Sequence, residues 1–181
     1  MSDGSSKGIV QVYFGKGKGK TTAAAGLSLR ALHYGFKVHF FQFLKTKEWQ
    51  SGEIYGLAGF RNFKSWLSDY SHPLFYPKKE RPSQSAVRGD QKKLIARAAK
   101  MIRTAKGMVV LDEVLNALSG GFVDRKDLEA VIAARPSSVE LVLTGRRMPA
   151  WVRAKARLIT EFRDVRHPFD SGLHARRGIE Y

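Results

Sequence analysis

The sequence predicts an α/β fold: a mostly parallel sheet with helices on both faces, stacked as three layers. Three observations carry this expectation. Short apolar runs recur at 9–14 (IVQVYF), 37–44 (KVHFFQFL), 108–114 (MVVLDEV), 139–145 (VELVLTG) and 157–162 (RLITEF). Helical patterns lie between them, and the connections are short, as crossovers between parallel strands require. Several runs are too continuously apolar for a strand with one wet face, so they read as buried strands.

The helices follow in order. Residues 20–34 are rich in Ala, Leu and Arg and meet a stop signal at Gly35. From about Gln84 to Lys106, Leu94, Ile95, Ala98, Ala99 and Ile102 share one helix face, with basic residues on the other. Asp124 is placed to cap a helix that turns Leu128, Val131 and Ile132 inward and ends before Pro136. The least regular stretch, 69–90, holds three prolines and is expected to be a loop over the site. In this architecture ligands sit at the carboxyl ends of the strands.

A chain of 181 residues fits one domain, taken as 8–181, with the polar start 1–7 expected to be disordered. Hydrophobic residues at 43% and aromatics at 11% exclude a disordered class. No run approaches the roughly 18 apolar residues of a membrane span, and the start lacks the apolar core of a signal peptide, so a cytoplasmic protein is expected. The absence of cysteine excludes disulfides and thiolate metal sites. Net charge is +16, and the stretch 71–110 alone sets ten Lys/Arg against Glu80 and Asp90. That stretch reads either as a solvated helix face with a basic loop or as a binding surface.

The segment VYFGKGKGKTTAAAG, 12–26, alternates glycine with lysine directly after the first strand and opens the first helix. Glycine lets backbone N–H groups point inward together, and the lysines call for a polyanion, so the expected guest is a polyphosphate. Lys20 would reach terminal phosphate oxygens and Thr21 would offer its hydroxyl to Mg²⁺. The N–H groups of Gly17, Lys18, Gly19, Lys20, Thr21 and Thr22 would wrap the phosphates at a helix N-terminus. Strict spacing puts the first glycine at Phe14, whereas Gly15 comes one residue later, so the loop is a variant. Asp112 and Glu113 end an apolar strand, where a carboxylate can bind Mg²⁺ directly or through water. A strand ending in Thr144 and Gly145 would deliver Arg146 to the same sheet edge, where a guanidinium neutralises phosphate charge. Arg30, on a helix, is a weaker candidate.

Together GKGKGKTTAAAG, FQFLK, VVLDEVLNAL, ARPSSVELVLTGR and the tail VRHPFDSGLHARRGIEY resemble the P-loop type of cobalamin (corrinoid) adenosyltransferase. The resemblance runs in blocks from Gly8 to Tyr181, with the tail its most specific part. It implies a P-loop NTPase-like (RecA-like) fold, usually homodimeric. It also implies transfer of the 5′-deoxyadenosyl group of ATP to cobalt(I) of a corrinoid, with release of triphosphate. Carried over, Gly15, Gly17, Lys18, Gly19, Lys20, Thr21 and Thr22 hold the triphosphate, Glu113 and Thr21 hold Mg²⁺ or Mn²⁺, and Arg30 and Arg146 contact phosphate. An acidic reductase such as a flavodoxin is the implied partner, with neither a membrane nor nucleic acid expected.

The chain departs from the family pattern in three places. Lys16 stands where the family has Asn, adding a charge beside the phosphates. The family's Gly-Phe-Thr-Trp segment, which packs on the corrin, is not found between 60 and 95, where Trp66, Phe75 and Tyr76 are the candidate replacements. Only seven residues precede Gly8, so an N-terminal segment that could cover the site is expected to be largely missing. Two other readings stand beside the transferase. One is a nucleic-acid-stimulated P-loop ATPase, suggested by the basic stretch with Phe75 and Tyr76 beside it; the other is an ATP-binding protein without turnover.

Overall fold

The structure, a computed structural model, describes residues 7–168, 172 and 174–179. Residues 1–6 of the start expected to be disordered, and part of the C-terminal motif block, therefore lie outside the described residues. Six strands, β1 (Val10–Phe14), β2 (Val38–Gln42), β3 (Phe63–Leu67), β4 (Met108–Asp112), β5 (Glu140–Gly145) and β6 (Leu158–Glu161), form one sheet in the order β3-β2-β4-β5-β1-β6. Every pairing is parallel. Among the described residues no helix is long and apolar enough to cross a membrane.

The period of two along each strand sorts the core into two layers. Val38, Phe40, Val110 and Val142 face α1 (Lys20–His33) and α2 (Gly52–Leu57), where Ala24, Leu32 and Ile54 meet them. On the other face Phe41, Leu111, Leu141 and Leu143 pack on α3 (Gln84–Ile102), α4 (Val114–Ser119), α5 (Arg125–Ala134) and α6 (Ala150–Arg153). All five residues of β2 and of β4 are buried, as a doubly covered parallel sheet demands. The helix stop at Gly35 holds, with φ +79° and its N–H donating to the Leu32 carbonyl at 3.0 Å.

Four expectations need correcting. The run 157–162 does form a strand, but β6 is an edge strand, paired only with β1, and its four residues are all exposed among the described residues. β3 was not expected. It is a five-residue edge strand whose burial pattern alternates weakly, so its sequence signal is faint. The irregular stretch 69–90 is irregular only to Ser83, which accepts the Ala86 N–H at 3.2 Å and starts α3 at Gln84. Asp124 stands at the N-cap position of α5 without a capping bond. Its carboxylate instead pairs with Arg88 at 2.5 Å and Lys92 at 2.9 Å, tying α3 to α5 and accounting for two cations of the basic stretch.

Leu143 lies in the central β5 with no exposed surface. Leu143→Ala is expected to lower unfolding free energy by about 2–5 kcal/mol through lost burial and the cavity left behind. Urea denaturation measures the change.

Candidate active site at the carboxyl edge of the sheet

The carboxyl ends of β1, β2, β4 and β5 bring the motif residues to one edge. Asp112, the last residue of β4, has no exposed surface, and three side chains converge on it. Thr21 Oγ1 donates to its two carboxylate oxygens at 3.0 and 3.2 Å, Thr144 Oγ1 donates to Oδ1 at 2.7 Å, and Lys45 Nζ donates to Oδ2 at 2.8 Å. The Thr144 hydroxyl in turn accepts the Glu113 N–H at 2.8 Å. That bond steadies Glu113 in the left-handed region, at φ 62°, a conformation that non-glycine residues hold mainly where surrounding structure enforces it.

This backbone turn separates two neighbouring carboxylates. Asp112 stays under the sheet edge, while the Glu113 side chain turns toward α4 and accepts from Asn116 Nδ2. Asn116 uses its oxygen to accept the Arg146 N–H at 2.7 Å, so one amide fixes both the acid and the arginine-bearing loop. Burial pushes the Glu113 carboxyl above the usual range and the Asp112 carboxylate adds to that, against Lys45, Lys20 and Arg146. Lys45 shows the opposite balance. Burial works against its ammonium, yet the Asp112 carboxylate outweighs it and holds the group above the ordinary lysine range.

The glycine-lysine loop is shaped by close backbone approach. A Cβ on Gly15, at φ +116°, would fall 2.3 Å from the Phe162 carbonyl oxygen, and one on Gly17 would fall 2.8 Å from the Arg163 backbone. The Gly17 N–H donates to the Phe162 carbonyl at 2.9 Å, and the Lys18 N–H donates to the Asp164 carboxylate at 3.0 Å. An anionic oxygen thus already engages one of the loop amides named for phosphate. Lys20 is buried with its Nζ donating to the Gly17 carbonyl at 2.6 Å, and burial lowers its pKa. Lys16 and Lys18 are exposed at the mouth.

Thr22 Oγ1 donates to Glu53 at 2.6 Å. Lys45, Thr144, Asn116 and Glu53 were not named from the sequence as site residues. Lys45 ends the motif block FQFLK, and that position just past a strand was the available signal. Arg30 is not brought to this edge: it lines a separate cavity with Gly8, Ile9 and Glu140, at the amino ends of β1 and β5. Of the three candidate aromatics, Trp66 stacks on Phe41 with ring centroids 4.5 Å apart, and the Tyr76 hydroxyl accepts the Ser71 N–H at 3.0 Å, so both serve the fold. Phe75 alone reaches the site. It lies 61% exposed against Trp49 and lines a cavity of about 410 Å³ together with His72, Leu74, Lys45, Glu113 and Arg146.

The donor set suits a hard divalent cation. The Lys45 ammonium lies 3.1 Å from the Thr21 hydroxyl and 2.8 Å from Asp112, so a positive charge already sits between the hydroxyl and carboxylate oxygens that Mg²⁺ prefers.

A parallel sheet carrying a glycine-lysine loop into a helix, with a buried carboxylate against the loop threonine, defines a P-loop nucleotide-binding protein. The comparisons narrow that class. Residues 6–181 match the family described as ATP:corrinoid adenosyltransferase BtuR/CobO/CobP, and the chain belongs to that family. It is 31% identical to a corrinoid adenosyltransferase of Pseudomonas aeruginosa, covering 97% of this chain and 84% of that protein. It is 30% identical to the corrinoid adenosyltransferase CobA of Salmonella typhimurium, over 97% of this chain and 86% of the relative. The Escherichia coli corrinoid adenosyltransferase is also 30% identical, over the same shares.

Asp112→Ala should destabilise the protein by at least about 3 kcal/mol, since it strands a mostly buried ammonium and removes the acceptor of two hydroxyls. Adding Lys45→Met should recover part of that loss. A double-mutant cycle by urea unfolding is expected to show coupling of about 1–3 kcal/mol.

Proposed function

We propose that the chain transfers the 5′-deoxyadenosyl group of ATP to cobalt(I) of a corrinoid substrate and releases triphosphate. The cobalt–carbon bond forms as the C5′–O bond breaks, and the bonding pair departs on the triphosphate oxygen. Cobalt(I) brings its own electron pair and has no proton to lose, so no general base is needed. What must be stabilised is negative charge on the leaving group.

The chain's residues divide that work. Lys20 leaves its contact with the Gly17 carbonyl to meet the triphosphate, and the amides of Gly19, Lys20, Thr21 and Thr22 hold the remaining oxygens, since those of Gly17 and Lys18 already donate to Phe162 and Asp164. Lys16 and Lys18 add charge at the mouth, and Arg146 approaches from the end of β5. A divalent cation, Mg²⁺ or Mn²⁺, would be held by Thr21 and Asp112 with Glu113 beside them, and when bound it supplies further neutralisation of the triphosphate. Phe75 and Leu74 present an apolar wall to the corrin. Arg30 is left outside this assignment because of its place at the opposite edge.

The observation that carries the reading is a shared wall. Lys45, Glu113 and Arg146 border the Asp112 cluster beside the phosphate loop and also line the cavity closed by His72, Leu74 and Phe75. A polyphosphate and a flat apolar substrate would meet there. The same reading has one domain from Gly8 onward acting in the cytoplasm as a homodimer, with an acidic reductase such as a flavodoxin supplying cobalt(I). The net charge of +16 favours an acidic partner, and the uncovered edge strand β6, with Leu158 and Ile159 exposed, favours self-association.

Anaerobic incubation with Mg·ATP and pre-reduced cob(I)alamin should yield adenosylcobalamin and intact triphosphate. Normal ATP binding with no cobalt–carbon bond formed would overturn the proposal. Lys20→Ala is expected to lower kcat by about 100-fold. Phe75→Ala should raise the KM for the corrinoid about tenfold and leave that for ATP unchanged, as steady-state kinetics with each substrate varied would reveal.

A further inference from the structure

A second concentration of positive charge lies at the opposite edge of the sheet. Lys37 precedes β2, Arg61 and Asn62 precede β3, Lys64 is the second residue of β3, and Lys106 lies two residues before β4. Because β3, β2 and β4 are neighbours, their amino ends bring these side chains around one cavity of about 450 Å³. Among the described residues no acidic one lines it. Among the described residues, none of the four cations makes a side-chain hydrogen bond or ion pair. A five-residue strand, about 17 Å long, separates this edge from the phosphate loop.

His39 forms the floor. It is only 9% exposed, its register partner is Lys64, and its ring packs near Trp66 with centroids 5.7 Å apart. Its Nδ1 is buried and has no hydrogen-bond partner among the described residues, which is costly for a polar atom. Asn62 and Thr104 add further polar groups to the lining. The C-terminus of α3 ends beside Thr104 and attracts cations, but a helix terminus offers only about half an elementary negative charge. Four cations exceed what that end can balance.

We propose that this cavity is a binding site for a small phosphate-type polyanion, held by Lys37, Arg61, Lys64 and Lys106 over His39. The phosphate chemistry is shared by two sources, a free oligophosphate and a mononucleotide. A neighbouring cavity shares Lys37 and Lys106 and is lined by Tyr34 and Phe36, 74% and 49% exposed, so a base has a surface to stack on. Neither cavity touches the residues assigned to adenosyl transfer, and the inference stands apart from that reading.

Nitrogen-15 labelling of the five histidines allows the site to be watched directly, with His39 assigned through His39→Gln. Burial first, and then Lys64 and Lys37, hold the imidazole below the usual histidine range. The charged groups around it are Lys64 from β3, Lys37 before β2, Arg61 before β3 and Lys106 before β4, so a bound anion must raise its pKa. Inorganic triphosphate should shift the His39 signals saturably and raise that pKa, in the parent and equally in Lys20→Ala, where the phosphate loop is disabled. Lys37→Ala combined with Lys64→Ala should weaken binding at least about tenfold while turnover of ATP and corrinoid stays unchanged.

AMP binding more tightly than inorganic phosphate would support the site with a nucleotide as its guest. Equal or weaker binding of AMP, with triphosphate still saturating, would support it with a free oligophosphate. Three results would overturn it: no saturable His39 shift up to about 10 mM triphosphate, a shift indifferent to the double substitution, or a response to oligonucleotides alone.

Discussion

The carboxylate of Asp112 is the point on which the site depends. It is fully buried at the end of a central strand, and an ionised carboxylate there is tolerable only if its lone pairs are occupied and its charge is matched. Thr21 from α1, Thr144 from β5 and Lys45 from just beyond β2 meet those needs. One group therefore links the phosphate-loop helix with three strand ends. The order of β2, β4 and β5 in the sheet makes the convergence possible, since β4 lies between the other two. A strand order that moved β2 or β5 away from β4 would cost the acid Lys45 or Thr144.

The same constraint explains the two non-glycine residues that are left-handed among the described residues. Leu44, at φ 54°, and Glu113, at φ 62°, each lie just past a strand whose end the cluster uses. Leu44 is fixed through its N–H to Gln91 Oε1 at 3.1 Å, and Glu113 through its N–H to Thr144. Each turn swings the following chain out of the sheet line. After Leu44 this brings Lys45 back over Asp112, and at Glu113 it aims the side chain at Asn116 instead of at its neighbour. Two adjacent carboxylates are thereby held in different surroundings, one neutralised by an ammonium, the other turned toward the cavity beneath Arg146.

Legibility in the sequence followed the range of the forces involved. Continuous apolar runs such as VVLD and LVLT announce buried parallel strands, because covering both faces leaves no polar alternation. The loop GKGKGKT announces itself because close approach to Phe162 and Arg163 admits only glycine at 15 and 17. What failed to show was short or dependent on distant partners. β3 is a brief edge strand, and α2, GEIYGL, contains two glycines in six residues, which gives little local helix preference. Lys45 looked like any lysine after a strand, since its role arises from an acid 67 residues away. Asp124 carried a helix-start signal, yet the stronger local fields of Arg88 and Lys92 took its side chain.

The positive charge of the chain is similarly divided by what surrounds it. On α3, Arg88 and Lys92 are answered by Asp124. At the carboxyl edge, Lys45 is answered by Asp112, while Lys16 and Lys18 stand exposed above a loop whose backbone amides also offer positive potential. Arg88, Lys92 and Lys45 serve the fold, because their partner is part of the same chain. Lys16 and Lys18 raise the positive potential around the loop, which favours the approach of an anion. In a chain of net charge +16, a cation paired with an acid of the same chain serves stability first, and the remaining positive field attracts anions. Positive charge gathers at both ends of the sheet, although only one of them carries the phosphate loop.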